Sequence, residues 1–266
     1  MLFNIEVFIV NLEKDIKKRK YMEQLFEKNT SLKYNFIQAI YGKDLSIDDL
    51  NSIYSEKQAK KILNRELSLG EIGCALSHKI IYQQMIDQNI GIALIVEDDI
   101  SFNNDLSKAL EKVTEFPNDW EIVLLGHHPA HSRKEITKNN IWGLKQNLFN
   151  NYSLVRPAEH AYGTYGYMIS LKGAKKLLKE LNKIYMPIDR YTGSDKMINL
   201  YMFSPPIIQI DDDTSNMSSM SDRTKITTTM KKLNVTRIIK NLLIYIGIRN
   251  ARDNLKKFLP LKKYKR

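Results

Sequence analysis

The chain has 266 residues, 43% of them hydrophobic and 27% charged, with a net charge of +11 and one cysteine, Cys74. That length can bury a sizeable core, and a lone cysteine excludes an internal disulfide and fits a reducing compartment. The charge is uneven. Residues 223–266 hold 14 Lys/Arg against one acid, Asp253, a net +13, which leaves 27 bases and 29 acids, a net −2, for residues 1–222. A near-neutral body excludes a nucleic-acid interface spread over it and points the basic segment at an anionic surface.

Residues 6–12 read as a first strand, followed by a charged helix over 14–29 with Ile16, Tyr21, Met22, Leu25 and Phe26 as its apolar positions. Glu6 interrupts the opening apolar stretch, and neither a basic leader nor a small-residue cleavage site accompanies it, so a cytoplasmic protein is expected. No window approaches the roughly 18 consecutive apolar residues of a membrane span. Residues 35–40 form a second short strand, and 47–63 a polar helical stretch. Ser68 and Glu71 then make a capping box that opens a helix carrying Ile72, Leu76 and Ile80, which ends near Asn89-Ile90-Gly91. Next come a strand over 92–99, a helix over 106–113 and a strand over 120–126. A long, irregular insert runs from His127 to His160. A strand over 162–170, helices over 172–182 and 194–203, and a last strand over 205–210 complete the pattern. Strands alternating with helices predict an α/β domain over 1–222, with a mostly parallel central sheet flanked by helices. Residues 223–266 form a basic helical tail in which Ile238, Leu242, Tyr245 and Ile246 share one face, suited to lying in an anionic membrane surface.

The junction at residues 92–99 carries the most chemistry. Ile92-Ala93-Leu94-Ile95-Val96 has the continuous apolar character of a strand covered on both faces, and it stops in Glu97-Asp98-Asp99. Carboxylates cannot continue into such a core, so they belong at the strand's carboxyl end, where open α/β sheets bind their ligands. Three acids on one tip need a positive partner. A hard divalent cation with oxygen ligands, accompanied by a diphosphate, satisfies that need, although an acidic surface turn would have the same composition.

Several segments, in order, resemble glycosyltransferase family 25: Phe8-Ile9-Val10-Asn11-Leu12 with Lys18-Arg19, residues 69–78 (Leu-Gly-Glu-Ile-Gly-Cys-Ala-Leu-Ser-His), Val96-Glu97-Asp98-Asp99, residues 163–170 with Gly173-Ala174, and Asp195 ahead of a helix. The resemblance spans about 5–215. It implies a GT-A-like fold, a UDP-sugar donor, a divalent metal (Mn²⁺ or Mg²⁺) and inversion at the anomeric carbon. It further implies hexose transfer, galactose foremost and glucose as the alternative, to a lipooligosaccharide acceptor on the inner face of a bacterial membrane. By the same resemblance Asp99 is a direct metal ligand joined by Glu97, and Glu97 or Asp98 holds ribose or metal-bound water.

Other candidates follow from the resemblance together with residue type and place. Asn11, Arg19, Gly73, Ser77 and His78 are candidate donor contacts, Arg19 because a guanidinium suits phosphate. An inverting transfer needs a base for the acceptor hydroxyl. Asp195 leads for that role, although it could equally cap a helix, with Asp189 and Glu159 in reserve. His128, His160 and Thr164 are candidate acceptor contacts. His127-His128-x-x-His131 lacks the cysteine pair or fourth ligand of a zinc site. Asp211-Asp212-Asp213 is a second acidic cluster in a polar loop. A metal-dependent phosphohydrolase would use the same carboxylates, and a non-catalytic membrane protein would not need all three intact.

Overall fold

The structure, a computed structural model, describes residues 5–129, 143–158 and 160–211. Strand β1 (Ile5–Asn11), helix α1 (Ile16–Asn29) and strand β2 (Asn35–Gln38) open the chain. The polar helical stretch over 47–63 consists of two helices, α2 (Ile47–Ile53) and α3 (Glu56–Leu63). The break has a cause: Tyr54 bridges to Ile184, and the Ser55 N–H donates to the Ile184 carbonyl at 2.8 Å. Helix α4 (Leu69–Asp87) starts at the Ser68–Glu71 capping box, with both of its reciprocal bonds made. Beyond its end, Asn89 takes a left-handed φ of 52°. The chain continues through β3 (Ile92–Glu97), β4 (Ile100–Ser101), α5 (Asp105–Glu111), β5 (Ile122–Leu124) and β6 (His128–Pro129). After these follow β7 (Gly143–Phe149), β8 (Tyr152–Pro157), β9 (Ala161–Tyr162), β10 (Gly166–Ser170), α6 (Leu171–Glu180) and α7 (Ile188–Thr192). Strands β11 (Leu200–Ser204) and β12 (Gln209–Ile210) close the described part.

Among the described residues, eight strands form one sheet in the order β2-β1-β3-β10-β5-β11-β8-β7. Strands β2, β1, β3, β5, β11 and β7 share a direction, and β10 and β8 run against it. Most strands are therefore co-directional, yet only three of the seven neighbour pairings are parallel, because the two reversed strands are interleaved among the others. Side chains alternate between two cores. Ala93 and Ile95 of β3 join the core under α4 and α6, while Ile92, Leu94 and Val96 join the one under α1 and α5. Both faces being covered explains why β3 reads as an unbroken apolar run. No helix among the described residues is long and apolar enough to cross a membrane.

Three expectations fail. The last strand, expected over 205–210, is only Gln209–Ile210, paired with β4 outside the main sheet. Residues 194–203 are not a helix: Asp195–Ile198 is turn and bend, and Leu200-Tyr201-Met202-Phe203 is a buried strand between β5 and β8. Large apolar side chains on both faces suit a central strand better than a one-sided helix. Part of the expected irregular insert is also ordered. Strands β7 and β8 form a hairpin at the sheet edge that turns through Asn150 in the left-handed region (φ 46°) and buries Tyr152, Leu154 and Val155.

One close approach fixes α4 against the β2 side of the sheet. A Cβ on Gly73 would stand 2.5 Å from the Ile40 carbonyl oxygen and 2.8 Å from the Gly42 nitrogen, both backbone atoms that cannot swing aside. Gly73→Ala should therefore cost about 1–3 kcal/mol in urea unfolding. Gly91→Ala, where a Cβ meets nothing within 4 Å, should stay within about 0.5 kcal/mol. Equal stabilities for the two variants would show that the approach is not tight.

Candidate active site

The register of β1 on β3 sets Val10 opposite Glu97, so Asn11, one step further, stands beside Asp98. The Asn11 amide donates to Asp98 Oδ2 at 2.7 Å. The positive partner that three acids require comes from α1. Lys18 Nζ donates to Asp98 Oδ1 at 2.9 Å and to Asp99 Oδ2 at 3.1 Å. Lys18 is only 4% exposed. Burial pulls its pKa down, and Asp98 with Asp99 more than reverse that, so the ammonium stays charged. For Asp98, burial pushes the pKa up against the opposing pull of Lys18 and Asn11.

Glu97 is the acid left over. It accepts a hydrogen bond from Thr164 Oγ1 at 2.7 Å and makes none of the Lys18 contacts. Burial first, and the Asp99 charge second, push its pKa up to about 7. The strand tip thus carries more negative charge than Lys18 offsets. That imbalance, on carboxylate oxygens at a sheet's carboxyl end, fits a hard divalent cation.

Behind Glu97, helix α4 presents Cys74 and His78 one turn apart. One ligand atom from each of Cys74, His78 and Glu97 lies within 4.8 Å of the others. His78 is fully buried, with Nδ1 2.7 Å from the Tyr167 hydroxyl, itself 2.6 Å from the Tyr82 hydroxyl. Burial pulls the His78 pKa down to about 4, so the ring is neutral. His78 Nε2 is buried without a hydrogen-bond partner.

The remaining candidates scatter. Arg19 is turned outward: its Nε lies 3.4 Å from Glu23 and its guanidinium 4.1 Å from the Phe36 ring centroid, so Lys18 and not Arg19 is brought to the acids. Gly73 and Ser77 face the backbone of residues 40–42, and Ser77 Oγ accepts from the Ile40 N–H at 2.8 Å while donating to the Gly73 carbonyl. Thr164 reaches Glu97. His160 Nδ1 lies 3.3 Å from Asp195 Oδ1. Asp195 sits in a turn past the end of α7 and not ahead of a helix, so helix capping does not explain it. Asp189 has a buried, unpartnered Oδ1, and burial pushes its pKa up. His127 Nε2 lies 2.7 Å from the Phe203 carbonyl oxygen. His128 pairs with Tyr162 through its backbone, and its side chain lies outside the described residues, as do His131, Glu159, Asp212, Asp213 and the tail. Asp211 returns to the tip. Its N–H donates to the Asp99 carbonyl at 2.8 Å, and its carboxylate accepts from the Tyr21 hydroxyl at 2.9 Å.

The residue the sequence reading missed is Lys18. Its signal was present: Lys18, Met22 and Phe26 recur every fourth residue and are the buried positions of α1, so a lysine continues an apolar stripe. An open cleft of about 900 Å³ lies at the carboxyl ends of β1 and β2, lined by Leu12, Glu13, Lys14, Phe36, Gln38 and Tyr41 among others. Lys14 Nζ stands 3.2 Å from the Tyr41 ring centroid there.

The profile of Glycosyltransferase family 25 (LPS biosynthesis protein) matches residues 4–192. Human "Procollagen galactosyltransferase 2" is 28% identical over 196 residues, covering 70% of this chain and 29% of that protein. A "Glycosyltransferase 25 family member" of Aedes aegypti is 32% identical over 193 residues, 70% of this chain and 30% of the relative. The aligned region thus spans about 30% of the length of these curated relatives. A crystal structure of A197 from STIV aligns with a TM-score of 0.38 at 10% identity over 74% of this chain and 81% of that one, a likeness too loose to assign a fold.

Removing Lys18 should expose the dependence of the tip on its cation. Lys18→Met leaves a buried carboxylate without its partner and should cost about 3–5 kcal/mol in urea unfolding. Adding Asp98→Asn should recover part of that loss in a double-mutant cycle. Additive losses would show that the two groups do not depend on each other.

Proposed function

Because this chain belongs to glycosyltransferase family 25, we propose that it is an inverting, GT-A-type enzyme moving a hexose from a UDP-sugar to a saccharide acceptor. Galactose is favoured because "procollagen galactosyltransferase" recurs among its relatives. The "LPS biosynthesis" of the family description favours a lipooligosaccharide core as the acceptor. The observation that carries this reading is the strand tip itself: two parallel strands and a buried lysine hold Glu97, Asp98 and Asp99 at the sheet's carboxyl edge with negative charge to spare.

In this reading the cleft beside β1 and β2 receives the nucleoside, with Tyr41 and Phe36 as apolar walls and Lys14 supplying positive charge. Asp99 and Glu97 would hold Mn²⁺ or Mg²⁺, which when bound stabilises negative charge on the diphosphate leaving group. Asn11 and Lys18 fix Asp98 and the inner oxygen of Asp99, so the acids need little rearrangement on binding. Thr164 keeps Glu97 oriented. Asp195, with His160 Nδ1 3.3 Å from its Oδ1, accepts the proton of the acceptor hydroxyl as that oxygen attacks the anomeric carbon. Residues 223–266 would hold the enzyme on the anionic inner face of the membrane through their net positive charge.

Transfer from UDP-galactose and UDP-glucose to truncated lipooligosaccharide acceptors tests the assignment. Asp99→Asn should fold normally and lose most transfer. Asp195→Asn should lose about 10²–10⁴-fold in kcat while UDP-sugar binding, read by calorimetry, stays nearly unchanged. Full Mn²⁺-dependent transfer by Asp99→Asn, or donor binding lost in step with transfer in Asp195→Asn, would remove the corresponding role.

A further inference from the structure

We propose that Cys74, His78 and Glu97 form a second metal site, for a borderline-soft divalent ion of the Zn²⁺ type, set behind the strand tip and sharing Glu97 with it. The inference does not depend on the transferase reading. Three observations converge on it. First, the ligand atoms of the three residues already lie within 4.8 Å of one another, so a small closing movement brings them round one ion. Second, Cys74 and His78 are four residues apart on α4, which puts both side chains on one helical face, while Glu97 comes from the tip of β3. Third, His78 Nε2 is fully buried and has no hydrogen-bond partner, a costly state for a ring nitrogen in a core.

That last feature has a simple chemical reading. His78 Nδ1 and the Tyr167 hydroxyl are 2.7 Å apart, and in the tautomer whose Nδ1–H donates to that hydroxyl the neutral ring carries its lone pair on Nε2. Metal-ligating histidines are held in this way, one nitrogen on the ion and the other on an orienting partner. The Tyr82 hydroxyl, 2.6 Å from that of Tyr167, holds the orienting group in turn. Glu97 is fixed on its other side by Thr164 at 2.7 Å. A thiolate, an imidazole and one carboxylate select Zn²⁺ or Co²⁺ over the Mg²⁺ and Mn²⁺ that all-oxygen sites prefer. On binding, the Cys74 thiol gives its proton to solvent, and the three protein ligands leave a fourth position for water or a substrate oxygen. The ion would staple α4 to β3 and fix the carboxylate that the outer site also uses.

Cobalt gives a direct readout, because Cys74 is the only cysteine in the chain and any thiolate-to-cobalt charge-transfer band must come from it. The 266-residue chain is stripped with chelator and titrated with Co²⁺ alone. The expected result is a near-ultraviolet band that saturates at one equivalent and is abolished by Zn²⁺. Tyr167→Phe should weaken Co²⁺ binding by about tenfold or more, and His78→Ala by more still. Asp99→Asn should leave the band unchanged even though it disables the outer site, which separates failure of this proposal from failure of the transferase reading. No band at saturating Co²⁺ would overturn the site, as would full affinity retained in His78→Ala. The first of these outcomes needs no variant to fold.

Discussion

One buried ion pair organises the molecule around its site. Strand β3 delivers three consecutive acids to the edge of a core, and like charges at that spacing would not stay there unopposed. Lys18 crosses from α1 to Asp98 and Asp99, and Asn11 closes on the same carboxylate from β1. Each contact needs its element in one place. The β1–β3 register must set Val10 opposite Glu97, and α1 must turn Lys18 inward with Met22 and Phe26. The pair is also incomplete as a neutraliser, since one cation meets three acids. Glu97 stands apart, and its pKa, pushed up by burial and by Asp99, registers the remaining imbalance. A buried site short of positive charge is poised to accept a cation and, with it, an anionic ligand.

The reversed strand β10 gives the tip its second wall. Because it runs antiparallel to β3, the segment entering it lies beside the carboxyl end of β3. Thr164 thereby reaches Glu97, and the Glu97 N–H donates to the Tyr165 carbonyl at 3.1 Å. The same strand supplies Tyr167, which turns toward α4 and orients His78. An all-parallel sheet would bring the opposite end of this strand to the site and lose both contacts. The acids therefore have a lysine and an asparagine on one side, a threonine on another, and a thiol with an imidazole behind. The cleft lined by residues 12–14 and 36–41 opens at the same carboxyl end of the sheet, past the ends of β1 and β2.

Much of this was legible in the sequence, and for physical reasons. The β3 run and its acidic end were readable because a strand covered on both faces tolerates no polar interruption. The Ser68–Glu71 capping box fixed the start of α4 because both partners lie within four residues. Local signals failed where tertiary partners decided the outcome. Leu200–Ser204 has an apolar content that suits helix or strand, and only its place between β5 and β8 makes it a strand. Lys18 and Arg19 are adjacent basic residues, and the favourable phosphate chemistry of arginine drew attention to the wrong neighbour for the ion pair. Helical spacing from Met22 and Phe26 would have singled out Lys18. Asp195, the leading candidate base, could equally cap a helix by sequence, but a strand and not a helix follows it, and His160 Nδ1 stands 3.3 Å from its carboxylate.

The central claim is that the strand tip lacks a positive charge, which a hard cation supplies and through which a nucleotide diphosphate is then held. Carbon-13 NMR of the Glu97 side-chain carboxyl, titrated with pH, measures that shortage at the residue that reports it. Without divalent ions its midpoint should lie near 7. With Mg²⁺ and UDP present it should fall into the ordinary carboxylate range, because a nearby cation favours the ionised form. A midpoint already in that range without metal, or one that Mg²⁺ and UDP leave near 7, would contradict the account.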